Sequence, residues 1–539
     1  MPAWPRFLLI PALVAALLAG GAARADQPAS AASAPLAGRT PLPYAGAVAA
    51  RFPSPPVRYA VPALLPRREL PTSTDELAAW LADAVRRAAP GTRVELLTPG
   101  QSQLGLPIQA LRFSRGPGRP VALLVGQQHG DEPAGAEALL VLARELADGA
   151  LNPVLDRLDV VLLPRLNMDG AVWASRVSAS GMDINRDHLL LRTPEARALA
   201  ALARWQRPVL VIDLHEYSVL GRYLEKFGAV RRHDLLFQAA TVANLPAAVA
   251  EASEAGFRQP ILAALAAEGH STEWYHTNPA APGNLRLSMG GVQPDVGRNV
   301  YGLRHAVSLL HETRGIGLGP WHLARRIHSH VVAARTALRQ AARQADALQA
   351  LQARADAEVA ALACRGSLVV QAGTTPERRE MLMLDPVTGA DKPVPVDWES
   401  ALTLRVVRER PRPCGYWLAA DQATAVATLQ ALGVQVLPVS EPRSVPTEAY
   451  LETARAEGVR PDVRGQAEDG GATSLRLIVA LQAEAFELPP GSWLVPLDQP
   501  LAHLATAALE PDSPSSYRAN GLIDRADAVR RVMVPLPRL

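Results

Sequence analysis

The 539-residue chain is poor in lysine, cysteine and aromatic residues, and each scarcity excludes something. Lysine occurs only as Lys226 and Lys392, although Lys and Arg together number 55, so arginine carries the basic charge. That pattern reads as a coding bias rather than as an arginine-based binding function. A formal net charge of +3 leaves no basic excess, and neither a nucleic acid nor an anionic membrane surface is implied as partner. The two cysteines, Cys364 and Cys414, are too few and too far apart for a thiolate metal site. In an oxidising compartment they could pair, which the sequence leaves open. Beyond the first residues no apolar run is long enough to cross a bilayer, so no membrane span is expected in the mature chain. Hydrophobic residues at 48% and charged residues at 20% are those of a globular protein, and the length calls for more than one folded unit.

The first segment reads as an export signal. Arg6 supplies a positive start, Phe7 to Leu18 is apolar, and Ala23-Arg24-Ala25 is an A-x-A cleavage pattern. Residues 1–25 are thus expected to be removed after Ala25, leaving a periplasmic or secreted protein. Residues 26–70, rich in Pro and Ala, read as an extended lead-in. Folded structure is expected from Thr72-Ser73-Thr74-Asp75, a helix cap followed by Glu76, Leu77, Trp80, Leu81 and Val85 at helical spacing.

From there apolar runs alternate with helical patterns. Val94–Leu97 and Pro107–Phe113 are strand-like, and Pro120–Gly126, Val160–Leu163, Val209–Leu214 and Ala306–Leu310 are buried-strand candidates. The alternation predicts an α/β domain over 71–320, a mixed and mostly parallel sheet with helices on both faces. A long helix or a helical pair is expected over 321–363 as a connector. Residues 364–539, with short β-like runs broken by Pro and Gly, are expected to form a smaller mixed or β-rich accessory domain. There Glu510-Pro511-Asp512-Ser513 reads as a turn.

Chemistry concentrates where those strands end. His129-Gly130-Asp131-Glu132 follows the run that ends at Gly126, and an imidazole and a carboxylate at i and i+3 in a loop can converge on one ion of the zinc type. Val211-Ile212-Asp213-Leu214-His215 brings a second histidine to a strand end, the edge where an α/β sheet binds ligands. In Ser308-Leu309-Leu310-His311-Glu312 the last two residues point to opposite faces of an extended strand, so only one of them can look into a site. Arg176 and Gly181-Met182-Asp183-Ile184-Asn185-Arg186 complete the set.

This ordered set, H-x-x-E, then R…G-x-D-x-N-R, D-L-H and a late E-x-R, resembles the zinc carboxypeptidase superfamily over residues 75 to 320. The resemblance implies a carboxypeptidase A-like fold and one zinc ion held by His129, Glu132 and His215. It implies Glu312 as catalytic carboxylate, Arg176 as the arginine on the polarised carbonyl, and Asn185 with Arg186 as the pair on the substrate's C-terminal carboxylate. Asp183 would orient the first histidine. The implied partner is a peptide with a free C-terminal carboxylate. The family's loop tyrosine is missing from Leu287–Gly297, and Tyr275 and Tyr301 are the nearest candidates. Two other readings stay open: an N-acyl amino acid deacylase similar to succinylglutamate desuccinylase and aspartoacylase, and a catalytically silent peptide- or wall-binding protein.

Overall fold

The computed structural model describes residues 42–281, 283–459 and 473–536. The export signal and its cleavage point after Ala25 lie outside these residues, as does the first part of the lead-in. The rest of the lead-in is packed rather than extended: Val48 and Phe52 are buried beside Tyr217, Val219 and Leu318. No periodicity announces this, because single apolar residues dock between ordered elements. Arg51 then anchors the segment on Asp391 at 2.7 Å.

The helix Thr74–Arg86 starts where its cap predicts. Ser73 Oγ accepts from the Glu76 amide at 3.3 Å, and Glu76 Oε2 accepts from the Ser73 amide at 2.8 Å.

The central sheet has eight strands. In spatial order they are Arg93–Gln101, Pro107–Ser114, Asp159–Leu163, Val121–Gly126, Leu210–Ser218, Val307–Ile316, Leu235–Ala239 and Thr272–Trp274. The four strands from Asp159–Leu163 through Val307–Ile316 run parallel and are flanked on each side by an antiparallel pairing, while Leu235–Ala239 and Thr272–Trp274 pair parallel with each other. Every residue of Val121–Gly126 and Asp159–Leu163 is buried, so both faces of the sheet are covered. Pro133–Ala147 and Leu323–Arg343 contribute to the same core, including Leu139, Leu142, Ile327 and Val331. The region after Trp321 is a helical pair, Leu323–Arg343 and Ala345–Ala361, and its first member is built into this core.

Strand pairing also runs across residue 364. A five-stranded sheet joins the long hairpin Ser367–Leu384/Asp391–Pro411 to Val230–Arg231, Leu287–Met289 and His276–Thr277. Leu287 pairs with Trp398 and Ser288 with Glu399, so the hairpin fixes segments that border the cavity described below. A six-stranded sheet, with Gly415–Leu418 and Val529–Val532 near its middle, completes the β-rich C-terminal part. Cys364 and Cys414 are joined as a disulfide. Among the described residues no helix is long and apolar enough to cross a membrane.

Candidate metal centre and active-site cavity

The parallel strands deliver the chemistry to one edge. After Gly126 the chain turns, and a Cβ on Gly130 would lie 2.0 Å from the carbonyl carbon of Gly170. Only glycine permits that approach, which sets the turn carrying His129 and Glu132 against the helix Met168–Trp173. Glu132 immediately precedes the helix Pro133–Ala147, whose first residue is a proline suited to that position. His215 lies on Leu210–Ser218 and Glu312 on the neighbouring Val307–Ile316, paired in register. His311 points the other way, packed on Phe237 with ring centroids 5.7 Å apart and both nitrogens unpartnered.

His129, Glu132 and His215 converge, all buried. The two Nδ1 atoms lie 3.1 Å apart, and each is 2.8 Å from a Glu132 carboxylate oxygen. Four-coordinate zinc with bonds of about 2.0–2.2 Å spaces its donors by about 3.3 Å, so these three side chains fit a single such ion. Behind them, His129 Nε2 faces Asp183 Oδ1 at 3.1 Å and His215 Nε2 faces Asp213 Oδ1 at 2.9 Å. Carboxylates on the outer nitrogens fix both rings with Nδ1 turned inward, the arrangement expected of ligand imidazoles. Three carboxylates thus surround two imidazoles, while Arg176 supplies a guanidinium to the group. That imbalance favours a bound cation.

Asp183 works in three directions. It holds His129, accepts from Arg176 Nη2 at 2.8 Å, and accepts from the Asn185 amide at 2.9 Å, closing the turn Ile184–Arg186. Arg176 Nη1 reaches to 3.2 Å from His129 Nδ1. The Asn185 side chain is engaged within the protein: its oxygen accepts from the Gly297 amide at 2.8 Å, and its nitrogen lies 3.2 Å from His215 Nε2. His129, Glu132, Arg176, Asn185, Arg186 and Glu312 all line one cavity of about 400 Å³.

Burial would push the Glu132 carboxyl up, but the His129 and His215 charges outweigh it and hold it well below the usual range. For His215 burial acts downward and is overcome by Asp213 and Glu132, which keep it well above an ordinary histidine. Among the described residues no cation is hydrogen-bonded to or ion-paired with Glu312. Burial raises it to about 7, Glu132 adding to the rise against His215, so it can accept a proton near neutrality.

Two residues of the site, Asp213 and Arg298, carry no role in the sequence reading, in which Tyr275 is one of the two nearest candidates for the loop tyrosine. Asp213 was legible, since D-x-H on a strand places both side chains on one face. Tyr275 lines the cavity and Glu312 is among the charges acting on its hydroxyl, whereas Tyr301 packs on His188, ring centroids 5.9 Å apart, and borders a different cavity. Arg298 lies one residue past Leu287–Gly297 and also lines the cavity, with nothing in its neighbourhood to mark it.

Residues 78–278 match the family described as "Zinc carboxypeptidase". "Carboxypeptidase 2" of Trichophyton rubrum is 29% identical over 405 residues, covering 74% of this chain and 73% of that protein. "Carboxypeptidase D" of Homo sapiens is 31% identical over 205 residues, 28% of this chain and 15% of that protein. A solved metallo-carboxypeptidase from Pseudomonas aeruginosa aligns with 52% of this chain and 70% of its own, at 22% identity and a TM-score of 0.40. Over residues 78–278 the chain is thus similar to the zinc carboxypeptidase family, and over 74% of its length to a fungal carboxypeptidase.

Proposed function

We propose that this protein removes C-terminal residues from peptides, using one zinc ion held by His129, Glu132 and His215. The observation that carries the reading is the register of Glu312 with His215, which sets a carboxylate of raised proton affinity beside the three donors and on the wall of one cavity. A zinc ion held there supplies a Lewis acid for the scissile carbonyl and acidifies water.

The protein's own groups do the rest. Glu312 takes the proton from the attacking water and returns it to the leaving amine. Arg176, held by Asp183, hydrogen-bonds the carbonyl oxygen as negative charge develops there, a contact typically worth about 3–4 kcal/mol. Arg186 receives the C-terminal carboxylate bidentately. Asn185, whose amide is taken up by Gly297, Asp213 and His215, supports that grip chiefly by fixing the turn that carries Arg186. Asp183 and Asp213 hold the imidazoles in the required tautomer. Tyr275 takes the place of the family's loop tyrosine at the cavity wall.

A panel of blocked dipeptides with free or amidated C-termini, run beside N-acyl amino acids, tests this. The peptidase is expected to cleave the free acids and spare the amides. Indifference to amidation would remove the Arg186 grip, and a preference for N-acyl amino acids would assign a deacylase instead. The export reading carries its own check: N-terminal sequencing of the mature protein is expected to begin at Asp26.

A further inference from the structure

Arg298 sits in the first turn of the helix Gly297–Gly302, at the cavity wall and only 5% exposed. Its Nη2 donates to the Gly291 carbonyl at 2.5 Å, while its Nε is buried without a partner. Among the described residues no carboxylate pairs with it. Arg325 and Arg326, also buried, are instead paired with Asp234 at 2.7 Å and Glu216 at 2.6 Å; Arg314 and Arg412 have unpartnered nitrogens too, but neither lines this cavity. Arg231, which also reaches the cavity, is spent on the rings of Tyr217 and Tyr223 and on two backbone carbonyls. Burial, with Arg186 nearby, lowers Arg298 to about 10, so it remains a cation at neutral pH. A buried guanidinium with an unmet donor is costly unless a ligand supplies the acceptor.

We infer that Arg298 receives the side-chain carboxylate of the substrate's last residue, making C-terminal Glu or Asp the preferred leaving group. This rests on the carboxypeptidase reading, in which Arg186 is already committed to the α-carboxylate. Leu310, on the Val307–Ile316 strand, offers an apolar wall for the methylenes between the two carboxylates. A neutral side chain in the same place leaves the guanidinium unmet, and a basic one is repelled.

The test is kcat/KM of the zinc-loaded full chain on blocked dipeptides that differ only in the last residue: Glu, Asp, Gln, Leu, Phe or Arg. Glu or Asp is expected to exceed Gln and Leu on the order of 100-fold, the upper end of what one hydrogen bond to a charged group is typically worth. Arg298→Gln is expected to collapse that ratio through loss on the acidic substrates. Equal rates for Glu, Leu and Arg in the unaltered protein would overturn the inference. So would an Arg298→Gln variant that loses the same factor on every substrate, since Arg298 would then serve only the Gly291 loop or the α-carboxylate. Product binding separates the two levels. By calorimetry glutamate is expected to bind more tightly than glutamine, and equal binding overturns the inference even where hydrolysis proceeds. Absence of hydrolysis on every peptide overturns the carboxypeptidase reading itself, and this inference with it.

Discussion

Two groups of buried charges lie in this protein, and they are built for different ends. In the C-terminal part, Arg410 Nη1 reaches Glu510 at 2.5 Å and Nη2 reaches Asp512 at 2.7 Å, while Arg531, itself buried, contacts Glu510 and Glu448. Arg408 closes on Asp512, and the Tyr416 hydroxyl donates to Glu510 at 2.9 Å. Three guanidiniums meet three carboxylates, and the charges balance within the fold. At the three-donor cluster the carboxylates of Glu132, Asp183 and Asp213 meet one guanidinium, two imidazole nitrogens face each other at 3.1 Å, and Glu312 lines the adjoining cavity. The balanced group needs nothing further. The unbalanced one is complete only with a cation, and it should be the one that answers to metal and substrate.

That contrast can be broken from either side. The largest effect is expected at Glu312: Glu312→Gln should retain zinc but lose on the order of 10²–10⁴-fold in kcat/KM, measured with metal content on the same sample. Undiminished turnover would show that the base is elsewhere. On the other side, Arg410→Met takes one guanidinium from the buried Glu510 and Asp512, unbalancing the group, and should cost about 3–5 kcal/mol in denaturant unfolding. The per-molecule activity of the folded fraction should be unchanged; a matching loss of kcat would mean that the two groups are coupled.

Smaller effects sharpen the same contrast. Asp213→Asn should weaken zinc binding by about 10–100-fold in a chelator competition, because it removes the carboxylate that fixes His215. The pH profile should be set by Glu312, which must be ionised to act. Activity should therefore fall as pH drops through an apparent pKa between about 4.5 and about 7, the upper value set by burial and a nearby zinc charge pulling it lower. A flat profile across that range would exclude Glu312 as the titrating base.

How much of this was legible depended on how local the cause was. His129, Glu132, His215 and Glu312 follow apolar runs whose burial is dictated by the strands themselves, so their edge of the sheet could be read directly. Asp183 was legible through its motif. The packing of Val48 and Phe52 was not, because docking single apolar residues leaves no periodic trace. Tyr275 and Arg298 owe their positions to a sheet that pairs Leu287 with Trp398, a contact between segments remote in sequence. Likewise Glu510-Pro511-Asp512 does form a turn, but that it buries two carboxylates depends on Arg410 and Arg531 arriving from other strands.

The most direct measurement is hydrolysis of a blocked dipeptide with a free C-terminus before chelation, after chelation, and on titration with zinc. Activity should vanish with chelator and return in full at one zinc per chain, with no return in a His215→Ala variant. Turnover that survives complete removal of the metal would contradict a catalytic centre built on His129, Glu132 and His215.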